Sequence, residues 1–122
     1  MPEAYLVKER RIYPRISVKV PISYSVVEGE RNIQDALEER RKVKNGHTLD
    51  LSLGGLCVLS GEPLLEGWVL ELEIAILPLD TSLRATAEVV WANETGGGVR
   101  FLKMKEEDMK TLKAYLDKAS QR

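Results

Sequence analysis

Two short stretches concentrate the side chains able to hold a ligand: Arg10-Arg11-Ile12-Tyr13-Pro14-Arg15 and Asp50-Leu51-Ser52-Leu53-Gly54-Gly55. Arg11 and Arg15 stand four residues apart with Pro14 stiffening the chain between them, and Arg10 precedes them directly. Guanidinium forks bind phosphates and the O6/N7 edge of guanine. Asp50 and Ser52 offer a carboxylate and a hydroxyl at alternate positions, and glycines follow that admit a ligand close to the backbone. A carboxylate accepts hydrogen bonds from the other edge of the same base. The combination fits a negatively charged guanine nucleotide that is held rather than transformed.

Each stretch taken singly has a plainer reading. Aspartate and serine often cap turns, and paired glycines often mark bends. Arg11 and Arg15 alone would be an ordinary basic tail beside a strand. Their joint occurrence favours a site, provided that the fold brings both to one surface.

The elements that must do this are legible from periodicity. Ile16, Val18, Val20, Ile22, Tyr24 and Val26 alternate with mostly polar residues, the mark of a strand with one face on a core. Pro21 falls on the other face and points to an edge or bulge at mid-strand. A second strand is expected over Trp68–Leu77, a return strand with Leu83, Ala85, Ala87, Val89 and Trp91 inward, and a short closing strand over Val99–Leu102. Asn93 to Gly98 reads as the turn before it. His47–Ser52 and Gly55–Ser60 are two further short strands about a glycine corner. Six strands without interleaved helices predict an antiparallel barrel. Met109, Leu112, Tyr115, Leu116 and Ala119 recur at helical spacing behind an acidic start, so the carboxyl end is an amphipathic helix. A helical insertion is expected from about Asn32 to Lys44, between the first two strands.

At 122 residues the chain is one domain, with 43% apolar and 30% charged residues and a formal net charge of −1. That balance excludes a broad electrostatic nucleic-acid binder. Charge is nevertheless concentrated: Lys8, Arg10, Arg11, Arg15 and Lys19 face only Glu9 within one short segment, enough for a compact dianion and too little for a duplex. The single cysteine, Cys57, cannot form an internal disulfide, fits a reducing compartment, and reads as a small buried hydrophobe. No signal-peptide pattern or membrane-length apolar run is visible, so a cytoplasmic location is expected.

Catalysis finds little support. His47, Asp50 and Ser52 could be taken for a hydrolytic triad, but strand alternation sets His47 on the opposite face, and no nucleophile elbow surrounds the serine. His47 and Cys57 lack metal-ligand spacing. Gly96-Gly97-Gly98 precedes a strand rather than a helix amino terminus, so it reads as hairpin punctuation and not a phosphate loop.

The pair of motifs resembles the PilZ domain, a bacterial receptor module for cyclic di-GMP. The likeness continues through Val89-Val90-Trp91 and Gly98-Val99-Arg100-Phe101-Leu102 and covers nearly the whole chain. The charged stretch from about Glu28 to Asn45 is longer than the family's usual hairpin connection. The resemblance implies an all-β fold with flanking helices: a six-stranded antiparallel barrel over residues 16–102 (insertion about 28–46), a helix over 105–120, and a flexible ligand-clasping segment over 1–15. It implies that Arg11 and Arg15 grip guanine edges and phosphates. Asp50 and Ser52 would bond the guanine and nearby backbone, and Gly55 would allow close contact. Arg10 would stack on a base, as in sites that take two intercalated ligands, and Arg100, turned outward by parity, would reach a phosphate. The implied role is a sensor without enzymatic activity, metal or cofactor. It would bind cyclic di-GMP, reposition its leader and signal to an unidentified downstream protein, as monomer or homodimer, without DNA, RNA or membrane insertion. The alternative is a PilZ-like protein-interaction module that binds no nucleotide.

Overall fold

The computed structural model describes residues 4–5, 14–28, 43–76 and 81–119. Its strands are β1 (Ala4–Tyr5), β2 (Pro21–Glu28), β3 (Lys44–Leu51), β4 (Gly55–Leu59), β5 (Val69–Ile76), β6 (Thr81–Asn93) and β7 (Gly96–Lys105). The helix α1 spans Glu106–Ala119. The strands run in the order β1-β7-β4-β3-β2-β5-β6, every pair antiparallel, and β6 returns to β7. Six strands therefore close into the expected barrel. β1 lies outside the ring: β4 covers β7 only from Gly96 to Arg100, and Ala4 and Tyr5 pair with Lys105 and Met104 beyond it. These two residues of the expected flexible segment are thus in a sheet, because β7 outruns its neighbour and leaves a ladder edge to fill.

Alternation places the core as expected in most strands. Val20, Ile22, Tyr24 and Val26 face inward, as do Trp68, Leu70, Leu72, Ile74 and Ile76, and Leu83, Ala85, Ala87 and Val89. The apolar stripe of α1, Met109, Leu112 and Leu116, joins the same cluster. Asp108, in its acidic first turn, accepts a hydrogen bond from the Arg84 backbone N–H at 3.3 Å. The helix thus begins at Glu106, and β7 runs three residues past the expected Leu102.

The departures arise at bulges, where one extra residue reverses the inward-outward sense of everything after it. Between Val89 and Trp91 the β6–β7 register shifts; Ala92 then packs on the core, and Trp91, expected inside, is 41% exposed. A second shift beside Phe101 turns Met104 inward. The three consecutive glycines are part of β7 itself rather than the turn before it. The expected helical insertion lies largely outside the described residues, and Lys44, its expected end, opens β3.

The first strand also begins later than its alternation suggests. Ile16 makes an isolated bridge to Leu51, with reciprocal hydrogen bonds of 2.9 Å, and the regular ladder starts only at Pro21. Between the bridge and the ladder Thr48 N donates to Val20 O at 3.0 Å, β3 carries a bulge against β4 between Thr48 and Asp50, and the Thr48 hydroxyl supplies two further bonds. It accepts from Val20 N at 3.0 Å and donates to Val18 O at 2.5 Å, from a fully buried side chain. Thr48→Val keeps the shape and strands both backbone groups, so it should destabilise the protein by about 2–3 kcal/mol. A urea midpoint matching the parent protein would mean that water replaces the hydroxyl.

Candidate functional site

Cross-strand register assembles one patch on the barrel's outer wall. Reading from β3 to β6, Asp50 pairs with Cys57, Cys57 with Gly98, and Gly98 with Trp91. The next row runs from Gly55 through Arg100 to Glu88. Gly55 and Gly98 contribute no side chain, so the floor is low at these two positions, with Asp50 and Arg100 beside it and the Trp91 indole over Gly98.

Arg15 and Asp50 meet on this wall, as the joint reading of the two motifs required. Their contact is loose, Arg15 Nη1 to Asp50 Oδ2 at 3.8 Å, with Arg15 59% exposed. The other carboxylate oxygen, Oδ1, is buried and has no hydrogen-bond partner among the described residues. A buried acceptor without a donor costs on the order of 1–3 kcal/mol, and a ligand N–H would recover it once the carboxylate turns Oδ1 toward the open wall. Arg10 and Arg11 lie outside the described residues.

Ser52 has a narrower role than expected. Its hydroxyl, in a buried residue, accepts from Gly54 N at 3.0 Å and Gly55 N at 3.2 Å and donates to Gly55 O at 3.2 Å. A hydroxyl has one proton and two lone pairs, so nothing remains for a guanine. Ser52 N also donates to Gly55 O, and Gly54 O accepts from Phe101 N, both at 2.9 Å. Ser52 therefore shapes the turn that sets Asp50 beside the floor. Gly55 is likewise demanded by the fold: a Cβ there would strike Val99 O and stand 3.0 Å from Arg100 Cα.

Arg100 points outward between buried Val99 and Phe101, as parity predicted. Its guanidinium is engaged. Nε and Nη2 both donate to Glu88 Oε1, at 3.0 and 2.7 Å. Trp91 lies over Gly98, where an added Cβ would collide with indole Nε1. An exposed indole beside cationic groups is a stacking surface for a planar base. Neither Trp91 nor Glu88 was singled out from sequence. The signal for Trp91 was present: Val89-Val90-Trp91-Ala92 is an apolar run that strict alternation does not allow, as at a bulge.

The β3 bulge also affects the triad argument. Buried Thr48 and Leu51 are three residues apart, so parity cannot separate His47 from Asp50 across it. The triad fails instead on Ser52, whose hydroxyl is buried and committed to the turn. Among the described residues no cluster of three or more His, Cys, Asp or Glu could hold a metal ion, and no helix is long and apolar enough to cross a membrane.

Cys57 lies within this patch rather than among the core side chains. Burial pushes its thiol up, the Asp50 charge pushes the same way, and Arg15 opposes both. The folded state thus keeps the proton longer than the unfolded chain does. Its contribution to stability is complete below the ordinary thiol range and is lost as pH rises through the higher folded value. Alkylation of the native protein at mildly alkaline pH should be roughly tenfold slower, or more, than in denaturant. Equal rates would show an open thiol.

The family model described as the PilZ domain matches residues 9–118. Among solved structures, the PilZ domain of CeSA from a cellulose-synthesizing bacterium is similar at TM-score 0.58 and 18% identity, over 81% of this chain and 90% of that one. The PilZ domain of YcgR from Escherichia coli, solved with c-di-GMP, is similar at TM-score 0.66 and 18% identity, over 93% of each chain. The Bacillus subtilis inhibitor of motility MotI/DgrA gives TM-score 0.68 at 14% identity, over 94% of this chain but 53% of that protein, about half its length. No curated protein matches the sequence.

Proposed function

The chain belongs to the PilZ domain family, and from that premise we propose that it is a receptor for cyclic di-GMP, bound on the glycine-floored outer wall. The observation that carries this reading is a buried Asp50 oxygen that no described residue satisfies, beside a loosely held Arg15. A guanine presents N–H donors on one edge and the O6/N7 acceptors on another. Asp50 takes the donors and Arg15 the acceptors or a phosphate. The indole of Trp91 stacks on a base, and Arg100 meets a phosphate oxygen. Arg10 and Arg11 add charge and stacking from the leader. No step breaks a covalent bond, and the nucleotide leaves unchanged.

Signalling follows from differential binding. Ordering a residue costs roughly 1–2 kcal/mol in backbone entropy, so a ligand touching several arginines at once shifts the leader's population far more than one touching a single group. The held leader then presents a changed surface to a downstream protein in the cytoplasm. Isothermal titration with cyclic di-GMP, combined with light scattering, tests the reading. Saturable heat with one or two ligands per chain is expected. Absence of heat at tens of micromolar favours the interaction module without nucleotide.

A further inference from the structure

We propose that Glu88 limits ligand affinity at this site by competing with the ligand phosphate for Arg100. The inference rests on the nucleotide-receptor reading and concerns one position that neither motif contains. Arg100 has two lateral neighbours in the sheet, Gly55 on β4 and Glu88 on β6. Gly55 offers no side chain, and among the described residues Glu88 is the side chain that holds the guanidinium. It does so through the side edge of the fork, with Nε and Nη2 on the same Oε1 at 3.0 and 2.7 Å. That edge presents two parallel N–H bonds, the arrangement that grips a phosphate bidentately.

The pair is partly shielded, with side chains 41% and 33% exposed for Arg100 and Glu88. Screening by solvent is therefore weaker than at a fully open pair. A phosphate approaching over Gly55 meets an arginine drawn toward β6 and a carboxylate charge immediately behind it. To engage the side edge it must displace Glu88. Glu88 thus acts through Arg100 and makes no ligand contact of its own.

Glu88→Gln keeps the size and the acceptor while removing the charge. In calorimetric titrations with cyclic di-GMP it should bind about tenfold tighter than the parent protein, the effect of freeing one charge-assisted fork. The gain should vanish in an Arg100→Ala background. Glu71→Gln supplies the matched change of net charge away from the patch, on the β5 row between Ser25 and Thr86, and should give no gain. Glu88→Ala is the second variant should the glutamine protein fail to fold, with the same expectation. Parent-like or weaker binding by the Glu88 variants overturns the proposal and leaves the receptor reading intact. Equal tightening by Glu71→Gln overturns it as well, since the effect would then be net charge. If the parent protein gives no heat but Glu88→Gln does, the carboxylate masks the site and the proposal stands. Silence from both removes it together with the receptor reading.

Discussion

Arg15→Ala should weaken cyclic di-GMP binding roughly tenfold to a hundredfold, the worth of one bidentate guanine contact, while leaving the urea midpoint of the free protein almost unchanged. The two halves of this result come from different features of the same side chain. Arg15 is 59% exposed and its contact with Asp50 spans 3.8 Å, so solvent screens the pair and it contributes about 0–1 kcal/mol at most to folding. In the complex the same guanidinium would be desolvated against a base or phosphate, where its fork geometry has full effect. Arg15→Lys should not restore affinity, because an ammonium is a point charge without the planar fork. A variant that binds as tightly as the parent protein would remove Arg15 from the site. A variant that unfolds at lower urea with unchanged affinity would make it a structural residue.

Gly55→Ala should have the reverse signature: a thermal midpoint lower by roughly 10 °C in the absence of ligand, as overpacking of a few kcal/mol implies. The added methyl would meet Val99 O, Val99 C and Arg100 Cα, all backbone of the neighbouring strand. None of these atoms can rotate away, so β4 and β7 must separate at the turn that carries Asp50 and Ser52. Binding would fall as a consequence. Gly98→Ala is an instructive contrast, since its new methyl meets the Trp91 side chain, which can swing aside. That variant should melt close to the parent protein and show an altered Trp91 environment. A Gly55→Ala protein with a parent-like midpoint and lost affinity would restore the reading of Gly55 as the place where ligand touches backbone.

The glycine and the serine of the second motif illustrate how a motif can be found for one reason and used for another. Sequence pattern grouped Asp50, Ser52 and Gly55 in one motif, and in the fold they share one turn. The family resemblance assigned Ser52 in part to the guanine, whereas all three of the hydroxyl's hydrogen-bonding positions serve the turn backbone. Tertiary structure decides this, because whether a hydroxyl is free depends on what surrounds it. The same holds for Cys57, read as a buried hydrophobe: it is buried, yet on the wall beside Asp50 and outside the core cluster.

Chemistry and joint occurrence singled out the two motifs, and the fold brings Arg15 of one to Asp50 of the other. Alternation was sufficient to establish the barrel, the inward faces of β2, β5 and most of β6, and the outward direction of Arg100, and helical spacing the terminal helix. These properties are local: each strand's pattern must match the two-residue repeat of its own backbone. Position past a bulge is different. Trp91 lies outside and Met104 inside because closing six strands into a ring forces register shifts between β6 and β7, and each shift reverses the pattern downstream. The Arg100–Glu88 pair and the floor made by Gly55 and Gly98 belong to the same category, since both join residues of different strands through a register set by barrel closure. Inheritance of side-chain direction along a strand can be read from the chain; juxtaposition across strands waits for the ring to close.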